Sequence, residues 1–274
     1  MDLPLLLSTD ALAHVLGDKS LLLVDVSKTA SYEEHHIPGA VHINPGSLQC
    51  GIKPAVGKIP DVDTLSAMMS AIGLRDDHHV VCYDDEGGGW AGRLIWTLDA
   101  IGHTHSSYLD GGIVAWLAEN RPTESGTSAV EPSGYQVQAI KQGPIAEIDD
   151  ILPHIGQPGF GIWDARSAEE YVGSRIVAAR GGHIPGAANL DWLDLMDREN
   201  HLRLKPLADI QATLDQLGLS KDKQIVTHCQ SHHRSGLTYL VARILGYPAI
   251  KAYHGSWGEW GNLDDTPINT GPQP

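Results

Sequence analysis

Long apolar runs, cysteine pairs and an excess of positive charge are all missing from this sequence. No run approaches the roughly 18 apolar residues of a membrane-spanning helix, so we expect no membrane span. Three cysteines cannot form a disulfide framework, and so few suit a reducing, cytoplasmic setting. With 19 basic and 34 acidic residues, the formal net charge is -15, which argues against nonspecific binding to nucleic acid or anionic membranes.

The composition is that of a globular protein with more than one domain. Hydrophobic residues make up 42% and charged residues 19% of the 274 positions, and a chain of this length favours two domains. The opening MDLPLLLSTD has only a short apolar patch and no basic leader, so we do not expect it to act as a signal peptide.

Matching phrases occur twice in the same order, which indicates a duplicated domain. Residues 21–43 and 161–190 each contain a short apolar run ending in Asp, then a Tyr-containing segment, then HIPGA. VVCYDDEGGGWAG in the first half corresponds to IVTHCQSHHRSG in the second, and YLDGGIVAW corresponds to YHGSWGEW. Pro and Gly in HIPGA indicate a turn, so we assign no chemistry to His36 or His183.

Short β-prone runs alternate with helical patterns in both halves, which predicts an α/β fold with parallel sheets flanked by helices. The predicted strands are 21–25, 79–83, 106–109, 160–164, 224–228 and 249–253. The predicted helices are 63–72, capped by Asp61 or Asp63, and 90–101, 206–217 and 234–245. The Pro-, Gly-, Ser- and Thr-rich stretch 121–136 is typical of a linker.

Cys229 is the candidate reactive residue. It follows a buried-type strand at the carboxyl end of a parallel sheet, where ligands bind, and a helix begins at or near Arg234. Loop N–H groups and the helix N-terminus would then favour a thiolate. Cys82 lies inside a strand and is expected to be inert, while Cys50 is a loop thiol with no activating neighbours.

Three chemistries fit this loop. Zinc binding would use His228, Cys229, His232 or His233, but no second ligand set such as a CxxC knuckle is present. The loop also resembles that of a cysteine phosphatase, although four residues rather than five separate Cys229 from Arg234. The shorter loop suits one sulfur atom better than a phosphoryl group, which favours sulfur transfer.

Taken together, the motifs identify the chain as a member of the tandem-domain rhodanese family, the thiosulfate/3-mercaptopyruvate sulfurtransferases. Tyr32 to Ala40 match the Y-x3-HIPGA signature, and YHGSWGEW resembles the C-terminal signature with His254 at a usually acidic or small position. The loop CQSHHRS is most similar to a bacterial subgroup with CQTHHRS-type loops. The resemblance implies two rhodanese-like domains, each a mainly parallel sheet with helices on both faces, over about residues 5–265.

The duplication predicts that only one copy is active. Asp84 aligns with Cys229, and the acidic DDEGGGWAG loop has no arginine at the position of Arg234. We therefore predict a catalytically silent N-terminal domain over residues 1–122, a linker over 123–143 and a catalytic domain over 144–274.

The predicted reaction is transfer of sulfur through a Cys229 persulfide. A small anionic donor such as thiosulfate supplies the sulfur, and cyanide, a small thiol or a protein thiol accepts it. Arg234 would orient the donor, or else brace the loop by bonding its carbonyls. The other predicted substrate-binding residues are Gln230, Ser231, His232, His233, Ser235, Trp192 and Arg180.

Two departures from the family leave the donor open. The loop has neither the two cations of thiosulfate-preferring members nor the CGSGVT pattern of mercaptopyruvate-preferring ones, and Glu170 stands where a substrate-binding arginine often precedes the tyrosine. Arg180 is a candidate to replace that charge. The alternatives are a 3-mercaptopyruvate sulfurtransferase, a phosphatase-like anion-binding loop and a non-catalytic sulfur carrier. We expect no metal, no organic cofactor and a monomer.

Overall fold

Two five-stranded parallel sheets form the framework of the protein. The computed structural model describes residues 3–274, so the first two residues of the predicted N-terminal domain lie outside the described part. The elements of the first half are β1 (Leu6–Leu7), α1 (Thr9–Val15), β2 (Leu21–Asp25), α2 (Thr29–Glu34), β3 (Val41–His42), α3 (Val62–Ala71), β4 (His79–Tyr83), α4 (Gly89–Ile101), β5 (Ser106–Leu109) and α5 (Gly112–Ala118).

The second half repeats this alternation with one added hairpin. Its elements are β6 (Ile145–Ala146), α6 (Ile148–Ile151), β7 (Phe160–Asp164), α7 (Ala168–Val172), β8 (Ala187–Asn189), β9 (Met196–Asp197), β10 (Arg203–Leu204), α8 (Leu207–Gln216), β11 (Gln224–His228), α9 (Arg234–Ile244), β12 (Ile250–Tyr253) and α10 (Ser256–Trp260). Strands β9 and β10 pair antiparallel with each other.

The strand order is the same in both sheets, which confirms the predicted α/β fold and the duplication. The first sheet runs β1-β5-β4-β2-β3 and the second β6-β12-β11-β7-β8, so β4 and β11 are the central strands. Five of the six predicted strands have the predicted bounds, and the sixth starts one residue later, at Ile250. The side chain of Asp61, not Asp63, caps α3 by accepting from the Thr64 N–H at 2.8 Å.

The HIPGA motif has a structural role in each unit. The Nδ1 atoms of His36 and His183 lie 2.8 Å from the carbonyl oxygens of Tyr32 and Tyr171, and both imidazoles stack on those tyrosine rings. Both histidines are buried. The two tyrosine hydroxyls donate to the backbone carbonyl of the alanine that ends each HIPGA motif, at 2.9 and 2.6 Å. The tyrosine and histidine thus fix the turn that leads into β3 or β8.

Contacts divide the chain into two units that are not continuous in sequence. The first unit comprises 1–48, 60–141 and 196–204, and the second comprises 49–59, 142–195 and 205–274. The stretch predicted as a linker is bonded to the first unit, for example through the Val137 N–H, which donates to Ser66 Oγ at 3.0 Å. The segment 49–59 precedes that stretch in sequence but makes its contacts in the second unit.

No helix within residues 3–274 combines the length and the apolar character needed to cross a bilayer.

Replacing Tyr171 with Phe should test the HIPGA anchor. The Ala187 carbonyl would lose its hydroxyl donor in a buried position, so we expect Tyr171→Phe to lower the free energy of unfolding by about 1 kcal/mol. Denaturant unfolding followed by circular dichroism would measure the change. Tyr135→Phe, in the stretch predicted as a linker, serves as the control, and an equal effect of both variants would contradict the anchoring role.

Candidate functional site

The site is built on the central strand of the second sheet. Cys229 directly follows β11, and α9 begins at Arg234, so the loop between them lies at the carboxyl end of parallel strands. The Cys229 side chain is buried, with 1% exposure. A reaction at its sulfur therefore depends on the groups that line this loop.

The first residues of α10 form hydrogen bonds with the loop that follows β11. The N–H groups of Trp257 and Gly258 donate to the carbonyl oxygens of Cys229 and Gln230, at 2.9 and 2.8 Å. Ser256 Oγ accepts from the N–H groups of Cys229 (3.3 Å) and His232 (3.1 Å). We expected loop N–H groups to converge on the sulfur, but these two turn to Ser256, because that hydroxyl lies within reach of both.

Ser235 supplies the hydrogen bonds to the sulfur. Its Oγ donates to Cys229 Sγ at 3.4 Å, and its backbone N–H also bonds the sulfur. Burial alone would raise the pKa of the Cys229 thiol, but the Arg234 charge, the Ser235 hydrogen bonds and the nearby His233 outweigh it, so the pKa is lowered. Cys82, inside β4, has a strongly raised pKa because it is fully buried beside acidic residues. The pKa shifts of the two buried thiols thus have opposite directions.

Arg234 forms a two-bond ion pair with Glu170. Its Nη1 and Nη2 donate to the two carboxylate oxygens at 2.6 and 2.9 Å. Burial alone would raise the pKa of Glu170, but the hydrogen bonds and charge of Arg234 have the larger effect. The pKa is therefore lowered, and the carboxylate is ionised. Arg234 is therefore braced by a neighbouring helix rather than by loop carbonyls, and Glu170 partly compensates its charge.

The remaining predicted residues of the loop face different neighbours. The Gln230 side chain donates to the Val177 carbonyl at 3.3 Å, and the Ser231 carbonyl accepts from Gln49 Nε2 at 2.7 Å. The His232 ring is buried, and its Nδ1 lies 2.7 Å from Ser235 Oγ.

Two predicted residues lie outside the loop. The Trp192 ring, 9% exposed, is tilted against the His233 ring at 5.5 Å between centroids, so these two side chains are brought together. Arg180 donates to the carbonyl oxygens of Thr266 and Trp260 at 2.9 and 3.0 Å, and it also bonds Leu263. These bonds hold the segment after α10, and a role for Arg180 in donor binding stays a prediction.

A buried charge network supports the loop at the end of the sheet. Asp164 ends β7 and pairs in register with His228, with 3.6 Å between the carboxylate and His228 Nε2. Arg166 donates to both oxygens of Asp164 and stacks over the Trp257 ring at 4.3 Å. Burial alone would raise the pKa of Asp164, but Arg166 and His228 have the larger, opposite effect. The pKa is therefore lowered, and the carboxylate stays charged. The network links β7, β11 and α10.

The segment 49–59 packs directly on the loop that follows Cys229, and sequence reasoning missed it. Gly57 lies so close to the carbonyls of Ser231 and His254 that a Cβ would collide with them. Lys58 pairs with Glu147 and Glu259 at 2.9 and 3.0 Å. No pattern in 49–59 announces these contacts, because they depend on tertiary packing. Ser256 lies within the motif YHGSWGEW, but sequence reasoning assigned it no role; its φ is 55°.

The corresponding loop of the first unit holds a carboxylate where the second holds the sulfur. Asp84 follows β4 just as Cys229 follows β11, and each helix begins five residues later. The Asp84 carboxylate accepts five backbone N–H bonds of 2.8–3.1 Å, from Glu86, Gly87, Gly88, Trp90 and Ala91. Burial raises its pKa to about 6, with a further rise from Glu86 and an opposing effect of the N–H bonds. An internal anion thus occupies this loop.

The described part of the chain has no cluster of metal-ligating side chains. Within residues 3–274, no group of three or more His, Cys, Asp and Glu side chains has the geometry to hold an ion.

Comparison with known proteins gives consistent similarities over the whole chain. The rhodanese-like domain family matches residues 8–119 and 147–263. The chain is 48% identical over 267 residues to a thiosulfate sulfurtransferase of Azotobacter vinelandii, with 97% of both chains covered. It is 46% identical over 268 residues to a thiosulfate sulfurtransferase of Pseudomonas aeruginosa, again with 97% of both covered.

A solved structure agrees with the fold. The crystal structure of SseA from Escherichia coli, a 3-mercaptopyruvate sulfotransferase, superposes with a TM-score of 0.82 at 26% identity. The match covers 93% of this chain and 99% of that one.

Removing the Glu170 charge should make Cys229 more acidic. In Glu170→Gln the Arg234 charge is less compensated, so we expect the pKa of the Cys229 thiol to fall further, by roughly half a pH unit. The rate of Cys229 alkylation by iodoacetamide against pH, mapped by mass spectrometry, would measure the midpoint. Glu169→Gln removes the same charge from the adjacent exposed position and should leave the midpoint unchanged. A raised midpoint in Glu170→Gln would contradict this reading.

The carboxylate in the first unit should contribute to stability. In Asp84→Asn the side-chain NH2 would face some of the N–H donors, leaving them unsatisfied in a buried site, so we expect a loss of about 2 kcal/mol in the free energy of unfolding. Denaturant unfolding would show this, with Asp85→Asn as the control that removes the neighbouring charge. Unchanged stability of Asp84→Asn would mean that the five bonds carry little net energy.

Proposed function

The chain belongs to the family of rhodanese-like domains, and on that premise we propose that it moves sulfane sulfur through a persulfide on Cys229. It is a sulfurtransferase, and the two bacterial relatives named thiosulfate sulfurtransferase support thiosulfate as its donor. The observation that carries the proposal is Cys229 itself, buried at the end of β11 with a lowered pKa and a hydroxyl donor on its sulfur.

The first half-reaction forms the persulfide. The Cys229 thiolate attacks the outer sulfur of thiosulfate, the S–S bond of the donor breaks with its electron pair, and sulfite leaves. The negative charge stays on the outer sulfur, now bonded to Cys229. No proton has to move, so the site must keep the sulfur anionic both before and after the transfer.

The second half-reaction returns the thiolate. Cyanide, a small thiol or a protein thiol attacks the outer sulfur, and the S–S bond to Cys229 breaks toward Cys229. With cyanide the product is thiocyanate. Ser235, through its hydroxyl and backbone N–H, bonds Cys229 Sγ, which carries the negative charge before the first transfer and again when the acceptor releases it.

Arg234 and His233 provide the local positive potential. Arg234 is partly compensated by Glu170, which leaves a modest field for an anionic donor in a chain of net charge -15. His233 and Trp192 form one wall beside the loop. Gln230 and Ser231 contribute through the backbone conformation of the loop.

The proposal assigns different roles to the two domains. The N-terminal domain, residues 1–122, is catalytically silent because the Asp84 carboxylate lies at the position that the sulfur has in the other domain. This carboxylate accepts the N–H bonds of its own loop. Residues 144–274 form the catalytic domain, and 123–143 connect the two. We extend the proposal to a monomer in the cytoplasm, where a reducing environment keeps an acidic thiol available.

A second donor is 3-mercaptopyruvate. The structural similarity to a 3-mercaptopyruvate sulfotransferase and the absence of two cations directly after Cys229 favour testing it beside thiosulfate. Attack on its sulfur would leave the same persulfide and release pyruvate after protonation of the enolate.

Intact mass would test the function. Incubation with thiosulfate should add one sulfur atom to the protein, and mapping should place it on Cys229. Subsequent cyanide should remove it, and a parallel experiment with 3-mercaptopyruvate would rank the donors. Cys229→Ala should take up no sulfur, with Cys50→Ala as the matched thiol control that still does. No uptake from either donor by the reduced wild-type protein would refute sulfur transfer and favour the phosphatase-like or binding readings.

A further inference from the structure

Three buried side chains form a chain of contacts that ends on the reactive sulfur. Ser235 Oγ lies 3.4 Å from Cys229 Sγ, and His232 Nδ1 lies 2.7 Å from the same Ser235 Oγ. His232 and Ser235 are both fully buried, with 0% exposure. The serine hydroxyl has one proton and two neighbours, so its direction depends on what the imidazole presents to it.

An anionic sulfur fixes that direction. A thiolate can only accept a hydrogen bond, so the Ser235 proton must point toward Cys229 Sγ when Cys229 is ionised. The Ser235 oxygen then presents a lone pair to His232, and Nδ1 must carry a proton to form the second bond. We propose that His232 is a positioning residue that donates its Nδ1–H to Ser235 and thereby turns the serine hydroxyl toward the anionic sulfur. This inference rests on the proposed function of Cys229.

The first unit supports a specific need for the imidazole. Gly87 holds the position of His232 in the Asp84 loop, and its φ of 95° is in the left-handed region that favours glycine. His232 adopts φ 52°, also left-handed, although it has a bulky side chain. The catalytic loop thus accepts a histidine at a position where its silent counterpart has glycine. Strain of this kind points to a functional demand on the side chain.

The serine position shows the same contrast. Trp90 in the first unit corresponds to Ser235, and its N–H donates to the Asp84 carboxylate as the Ser235 N–H bonds the sulfur. Only the second unit adds a hydroxyl and an imidazole behind that N–H. The side-chain relay is therefore an addition to a shared backbone arrangement.

Other charges around the site act on the sulfur independently of the relay. The titratable or charged side chains of the loop and of the elements packed around it include Lys58, Glu147, Asp164, Arg166, Glu170, His228, His233, Arg234, His254 and Glu259. All of them stay unchanged when His232 or Ser235 is replaced. Differences among such variants therefore report on the relay.

The test uses two amides of different reach. In His232→Asn the side-chain amide N–H occupies the place of Nδ1 and can donate to Ser235, whereas in His232→Gln the amide lies one atom further along. We expect the pH midpoint of Cys229 alkylation by iodoacetamide to stay near wild type in His232→Asn. In His232→Gln and Ser235→Ala it should rise by about half to one pH unit. The double variant should rise no further than Ser235→Ala alone, because the two residues act as a unit.

Ser235→Ala also controls for backbone strain, because it leaves residue 232 untouched. An additive double variant, or equal behaviour of His232→Asn and His232→Gln, would overturn the relay.

Nitrogen-15 NMR of the labelled imidazole gives an independent readout. Nδ1 of His232 should carry the proton at pH values above the Cys229 midpoint, and an unprotonated Nδ1 there would overturn the proposal. Both measurements follow the thiolate without any sulfur donor. Failure of the relay would leave sulfur loading of Cys229 intact, whereas failure of sulfur loading would refute the proposed function and leave the alkylation result standing.

Discussion

The need to keep an anion buried at the end of a central strand governs this structure. Cys229 is almost inaccessible, and burial by itself favours the neutral thiol. Donors and a nearby positive charge must therefore outweigh the cost of removing the sulfur from water. Two N–H groups at the start of α10 bond the carbonyl oxygens of Cys229 and Gln230 and so fix the loop that carries the sulfur.

The two units meet the same constraint with different anions. In the first unit, the Asp84 carboxylate accepts five backbone N–H bonds, so the anion of this loop is an internal side chain. In the second, the anion is a sulfur that must be able to react, so part of its stabilisation comes from the Ser235 side chain and from Arg234. A site that is full of internal bonds is stable and inert, while one that shares its donors with an incoming atom can turn over.

Sequence reasoning reached the fold, and it placed Cys229 at the end of a central strand, because both depend on local patterns. Strand 224–228 is followed by residues whose types predict a turn, and alignment of the two copies places Asp84 opposite Cys229. Partners across the fold were harder to predict. Glu170 was recognised only as a departure from an expected arginine, since nothing in the sequence joins it to Arg234, 64 positions away. Segment 49–59 was assigned to the first domain because chain order, not packing, was the only guide.

The Glu170–Arg234 pair explains how one charge can serve two purposes. A free arginine beside the sulfur would bind anions tightly, including the sulfite that leaves after the first transfer. The Glu170 carboxylate weakens that attraction but holds the planar fork in one orientation, and the Arg234 charge still acts on Cys229. In a chain of net charge -15, the thiolate is thus stabilised by the partly compensated Arg234 charge together with the short-range hydrogen bonds of Ser235. The hydrogen bonds act on Cys229 Sγ itself, in the thiolate that attacks and in the thiolate that the acceptor releases, whereas a strong uncompensated field would also retain the more highly charged sulfite.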